Sequence, residues 1–140
     1  MESRLSLVLR NHLNELERMS ERVSAWCREN GVPTVAEFHL NLALDEVVSN
    51  VIRYGWKGDG EHQIRVRLSR LEDELTVEVE DDAMPFNPLN VPAADIDKPL
   101  EERPVGGLGI HLVRHIMDSL EYRRLEGKNR LVMKKKTDGT

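Results

Sequence analysis

At 140 residues the chain is long enough to bury the core of one domain and short for two, so no covalent staple is needed to fold it. Hydrophobic residues make up 39% and charged residues 32%, which excludes a disordered chain, and the net charge of -5 disfavours direct contact with nucleic acid, whose phosphates select a basic face. Cys27 is the only cysteine, which excludes an internal disulfide and a cysteine-based metal cluster; the absence of a membrane-spanning apolar run and the acidic Glu2 predict a cytoplasmic protein with no membrane contact.

Leu5, Leu7 and Leu9 alternate with polar residues and predict a short opening strand. Leu13, Leu16, Met19, Val23 and Trp26 recur at helical steps, and Gly31 followed by Pro33 closes that helix; Trp26 is expected in the core or at a dimer contact. Thr34-Val35-Ala36-Glu37 has the form of a capping box at the start of a second helix. Its apolar stripe is Leu44, Val47, Val48, Val51 and Ile52, so the opposite face carries Glu46, Asn50 and Arg53, and Gly55 offers a stop.

Ile64, Val66 and Leu68, then Leu75, Val77 and Val79, alternate about a polar turn at Glu72 and Asp73 and predict a half-buried antiparallel hairpin. From Asn87 to Val105 nothing is periodic, and four prolines, Pro88, Pro92, Pro99 and Pro104, interrupt any helix or strand. Structureless loops longer than about 12–15 residues are usually lids or binding loops, so residues 87–105 are read as a lid. A glycine-led helix follows from Leu108 to Met117, then a closing hairpin in which Leu120, Tyr122, Leu131 and Met133 flank Glu126-Gly127-Lys128-Asn129. Lys134 to Thr140 read as a frayed polar tail. Strand pairs arriving as hairpins predict an α+β two-layer sandwich, with helices on one face of a mixed, mostly antiparallel sheet, and residues 1–140 as a single domain.

Three stretches carry chemistry. Glu46 and Asn50 lie four apart, one above the other on the helix face turned from the core. An amide oxygen there can hold Mg²⁺ and a carboxylate can take a proton from a nucleophile, although such a pair alone also fits a solvated surface. Asp81 and Asp82 follow the strand of Leu75 to Glu80, just where Ala83-Met84-Pro85-Phe86 turns the chain out of the sheet; a carboxylate there, partly shielded by Phe86, could accept the exocyclic amine of adenine and repel the carbonyl of guanine, although an Asp pair alone also fits a simple turn. Losing such a bond costs about 1.5–3 kcal/mol. Gly106-Gly107-Leu108-Gly109 leads into a helix, whose first backbone N–H groups can converge on phosphate. No P-loop or Rossmann fingerprint is present.

The order of these parts is specific: Glu/Asn helix, hairpin, Asp turn, proline-rich lid, glycine-led helix, closing hairpin. Over nearly its whole length the chain resembles the Bergerat-fold ATP-binding domain shared by histidine kinases and gyrase-type ATPases, and most closely the small anti-sigma-factor serine/threonine kinases. Leu44-Asp45-Glu46-Val47-Val48-Ser49-Asn50, Asp81-Asp82-Ala83-Met84-Pro85-Phe86-Asn87-Pro88 and Gly106-Gly107-Leu108-Gly109-Ile110 match the family's three boxes. The resemblance implies that Glu46 is the general base, Asn50 the Mg²⁺ ligand at ATP and Asp81 the adenine acceptor. It puts Ala83, Phe86, Leu108 and Ile110 at the nucleotide and makes Gly106, Gly107 and Gly109 the lid's hinge and phosphate-facing backbone. Arg103 is a further candidate for the γ-phosphate. One departure stands out: Ala83 occupies a position where many relatives have glycine.

The partner implied is a STAS-domain anti-anti-sigma protein phosphorylated on Ser or Thr; the resemblance also suggests a sigma factor held on another surface and a homodimer. A nucleotide-gated module that captures a regulator without phosphorylating it is the alternative, and a stand-alone ATPase a third reading. His111 and His115, four apart without a third ligand, are expected to be packing or solvated residues rather than a metal site.

Overall fold

The computed structural model describes residues 2–90 and 107–137, apart from the side chains of Gly107 and Leu108. Strand β1 (Glu2–Arg10) turns Leu7 and Leu9 into the core and its polar residues outward, as the alternation predicts. Helix α1 (Glu15–Glu29) buries Met19, Val23, Trp26 and Cys27, so Trp26 is a core residue. Its first residue ties it to β1: the Glu15 carboxylate accepts the Arg10 backbone N–H at 2.8 Å and the Arg18 guanidinium at 2.9 Å. Those bonds, Arg18 first, hold the Glu15 carboxyl down at about 2. The chain leaves α1 through Gly31, at φ +66°, a left-handed exit for which glycine is the cheapest residue.

Helix α2 (Thr34–Tyr54) corrects the expected capping box. Pro33, with ψ 148°, is the N-cap and no side chain caps the helix; Thr34 already lies within the first turn, one position too late for its hydroxyl to act. Leu40, Leu44, Val47 and Val48 are buried along α2. Fully burying one such side chain contributes about 1.5–3 kcal/mol.

Strands β2 (Gln63–Leu71), β3 (Glu74–Asp81), β4 (Ser119–Leu125) and β5 (Lys128–Lys136) complete a five-stranded sheet of order β1-β2-β3-β5-β4. Every described pairing is antiparallel, which narrows the mixed sheet expected. The register lines up apolar side chains in rows across all five strands: Leu5, Leu68, Val77, Met133 and Leu120 in one, Leu7, Val66, Val79, Leu131 and Tyr122 in the next. Helices cover that face, with Leu40, Leu44, Val48 and Val113 of α3 (Gly107–Ile116) in the same core cluster. The opposite face is polar, with Arg130 paired to Glu78 and to Glu80, each at 2.9 Å.

Three local expectations change. The β4–β5 turn has two residues, Glu126 at φ 53° and Gly127 at φ 76°, rather than four, because consecutive left-handed residues match the twist of the hairpin. Lys134 to Lys136 belong to β5 instead of a frayed tail: they pair with Thr76, Leu75 and Glu74, and the Thr137 hydroxyl bonds to the Asp73 carbonyl at 3.0 Å. Pro88–Asn90 form a short 3₁₀ turn at the start of the stretch read as a lid; residues 91–105 lie outside the described residues.

Candidate functional site

A third row crosses the sheet on the helix-covered face, and it changes character halfway: Leu9 and Ile64 are followed by Asp81, Asn129 and Arg124. Because strand side chains repeat every second residue, the same register that fills the core with leucine and valine sets these polar residues side by side at one end of the sheet. A cavity of about 360 Å³ opens over Asp81 and Asn129. Val47, Asn50, Val51 and Tyr54 of α2, Ile110 of α3 and the Ala83–Phe86 turn supply its other walls.

Asp81 lies at the bottom, only 5% exposed. Its Oδ1 accepts two hydrogen bonds, from the Ala83 backbone N–H at 3.0 Å and from Asn129 Nδ2 at 2.9 Å. Oδ2 has no hydrogen bond among the described residues. Burial pushes the carboxyl up from its ordinary value and the neighbouring Asp82 adds to this; the bonds from Asn129 and Ala83 and the charge of Arg124 pull it down without reversing the balance. A buried acceptor with one oxygen unclaimed in an apolar cavity suits a neutral N–H donor better than a solvated cation.

Asn50 lines the same cavity, and its amide makes no hydrogen bond among the described residues. Glu46, one turn earlier on α2, does not line the cavity; it lies beside it, against the start of α3. A Cβ placed on Gly109 would overlap the Glu46 carboxylate, so the glycine is what lets α3 come this close. The Glu46 carboxylate has no hydrogen bond or ion pair among the described residues. Asn50, Asp81, Ala83, Phe86 and Ile110 are therefore brought together around one cavity, with Glu46 and Gly109 adjoining it. Gly107 and Leu108 begin α3, and Arg103 and Gly106 lie outside the described residues.

The sequence reading missed Asn129, Tyr122 and Gly55, which also line the cavity. The spacing predicts Asn129 within a four-residue turn, whereas a two-residue turn at Glu126-Gly127 sets Asn129 opposite Arg124 on the inner face. Arg53, exposed on the Glu46–Asn50 face of α2, makes no ion pair among the described residues.

Comparison with known proteins gives the family and the fold. The family model described as "Histidine kinase-like ATPase domain" matches residues 9–135. Over 96 residues the chain is 26% identical to the "Serine/threonine-protein kinase BtrW" of Bordetella bronchiseptica, covering 69% of this chain and 68% of that one. It is 32% identical over 100 residues to the "Serine-protein kinase RsbW" of Bacillus mycoides, covering 68% of this chain and 61% of that relative, so the match spans less than two thirds of the relative's length. Among solved structures, the RsbU and RsbW domains of a Mycobacterium tuberculosis protein superpose with a TM-score of 0.66 at 15% identity, over 96% of this chain and 32% of that one. The Acinetobacter baumannii histidine kinase AdeS superposes with a TM-score of 0.51 at 14% identity, over 91% and 74%. These likenesses carry the fold, and the family match runs from the end of β1 to β5, through α2, the Asp81 turn and α3; the chain belongs to the histidine kinase-like ATPase domain family.

Proposed function

We propose that the chain is a cytoplasmic protein serine/threonine kinase domain that binds Mg·ATP in the Asp81 cavity. It transfers the γ-phosphoryl group to a Ser or Thr of a STAS-domain anti-anti-sigma partner, and transcription is regulated by the resulting switch of partners, with a sigma factor the second protein bound. The observation that carries the nucleotide half is the buried Asp81 carboxylate with Oδ2 unclaimed in an apolar cavity, which suits the exocyclic amine of adenine. The protein-kinase half is supported by the names of the relatives, both serine or serine/threonine kinases.

In this reading Phe86, Ala83 and Ile110 pack on the base, Asn50 supplies an amide oxygen to Mg²⁺, and the amides around Gly106, Gly107 and Gly109, with Arg103, face the phosphates. Mg²⁺, when bound, neutralises phosphate charge as the group is transferred. Glu46 takes the proton of the attacking hydroxyl: the oxygen attacks the γ-phosphorus, its bond to hydrogen breaks towards the carboxylate, and ADP leaves.

The test is phosphoprotein formation with a candidate STAS partner. Glu46→Gln keeps the size of the side chain and removes the base, so transfer should fall by about 10²–10⁴-fold while calorimetric affinity for Mg·ATP is unchanged. Normal transfer by this variant overturns the role of Glu46. The nucleotide-gated binding module predicts a complex with the partner but no phosphoprotein from the wild-type chain.

A further inference from the structure

Two side chains outside the family boxes stand behind Asp81. Asn129, opposite Asp81 in the β3–β5 register, is 6% exposed. Its Nδ2 donates its two hydrogens to Asp81 Oδ1 and to the Met84 carbonyl, each at 2.9 Å, with the Ala83 carbonyl at 3.3 Å as a longer, shared acceptor. Three acceptors around one nitrogen decide which way the amide points, since the flipped amide would set its oxygen against a carboxylate and two carbonyls. The remaining Asn129 Oδ1 can only accept, so the Tyr122 hydroxyl, 2.5 Å away, donates to it. Donation therefore runs in one direction, from Tyr122 through Asn129 to Asp81, and ends on the oxygen that also accepts the Ala83 N–H.

We propose that Tyr122 and Asn129 form a positioning relay that claims Asp81 Oδ1 for the protein and leaves Oδ2 as the one ligand-facing acceptor, so that the cavity prefers a 6-aminopurine over a 6-oxopurine. The preference rests on the adenine reading of Asp81; the clamping of Oδ1 does not. A carboxylate free to take up a proton becomes a donor, and its O–H could donate to the carbonyl of a 6-oxopurine. The relay opposes this, because hydrogen bonds donated to the ionised form favour that form. The other charged groups facing Asp81 are Asp82, next in the chain, which opposes ionisation, and Arg124 of β4, which supports it. Apolar Ile64 of β2 pairs with Asp81, and α2 faces the cavity with Asn50 and Tyr54.

Asn129→Leu and Tyr122→Phe test the relay, the second deleting a single hydroxyl from a side chain that otherwise packs as before. In the ligand-free protein, the Asp81 carboxyl followed by ¹³C NMR should titrate at higher pH in Asn129→Leu, with a smaller shift of the same sign in Tyr122→Phe. In calorimetry, the affinity ratio of ATP to inosine triphosphate should fall by about tenfold in Asn129→Leu, the worth of one charge-assisted bond. A purely structural role would weaken both nucleotides alike and leave their ratio intact. An unchanged Asp81 midpoint in both variants overturns the relay, and an unchanged ratio overturns its role in base choice. If the wild-type chain binds neither triphosphate, the adenine reading falls and the base preference with it, while the titration still decides whether Oδ1 is clamped.

Discussion

Gly109 shows how much one hydrogen atom in place of a side chain can decide. Its place in a glycine-rich run suggested backbone that approaches phosphate, and the structure adds a steric reason the sequence did not contain: there is no room for a Cβ beside Glu46. The obstacle is the far end of a flexible side chain rather than backbone, so the fold can absorb a methyl group by moving the carboxylate. Gly109→Ala should therefore fold and bind Mg·ATP, yet transfer phosphate more slowly, towards the level of Glu46→Gln, because the base is pushed off its position. Single-turnover transfer compared with calorimetric affinity separates the two effects. Full transfer activity in Gly109→Ala would mean that the placement of Glu46 seen here is not the one in which it acts.

Between elements, a close junction joins the end of α2 to the turn after β3. Gly55 caps the end of α2, as expected of a helix stop, and its φ of -72° is open to any residue. What excludes a side chain is proximity: a Cβ at Gly55 would stand 2.7 Å from the Ala83 Cβ and 2.5 Å from the Val51 carbonyl oxygen. The Met84 N–H also bonds to the Gly55 carbonyl at 2.9 Å. The methyl group of Ala83 and the bare Gly55 thus share one space under the cavity, which gives the departure at position 83 a structural counterpart. Gly55→Ala should cost about 1–3 kcal/mol through overpacking. Adding Ala83→Gly should recover part of that loss, with a coupling of about 0.5–3 kcal/mol between the two sites; the contact with Val51 stays. Urea unfolding of the two single variants and the double variant gives the coupling, and strict additivity would show that the two positions do not compete.

The same scale separates what the sequence made legible from what it did not. β1, the β2–β3 hairpin and the buried stripe of α2 were readable because alternation and helical spacing report burial directly. The capping box failed because Thr34 and Glu37 had the right spacing one residue too far along, which only the backbone angles of Pro33 reveal. Lys134 to Lys136 looked like a tail because three consecutive charges hide alternation, although β3 was waiting to pair with them. Within the cavity, Asn50 and Asp81 followed from motif and position; Asn129 and Tyr122 depended on strand register, which a single sequence does not print.

For the molecule as a whole, the row across the sheet sets stability against function. Glu15 supports the fold: its carboxyl titrates at about 2 when folded against an ordinary 4.5, so its contribution is complete above 4.5 and is lost as the pH falls through about 2. Asp81 works in the opposite sense. Its folded value lies above the ordinary 3.8, so the folded chain holds this proton to higher pH than the unfolded chain does; ionised Asp81 costs nothing below 3.8 and its full penalty above the raised value. Asn in place of Asp81 can still accept from Ala83 and Asn129 through Oδ1, and it carries no charge to bury. Ligand-free Asp81→Asn should accordingly melt at a higher temperature than the wild type at pH 7, with the difference closing as the pH is lowered past 3.8. Its new amide would meet the amine of adenine donor to donor, so it should lose the response to nucleotide. At a hundredfold excess over Kd, Mg·ATP stabilises a protein that binds it only when folded by about 2.7 kcal/mol, several degrees for a chain of this size, and the variant should show none of this. Differential scanning calorimetry over a pH series, with and without Mg·ATP, measures both halves. A variant that melts below the wild type at pH 7 and still responds to ATP would remove Asp81 from the centre of the site.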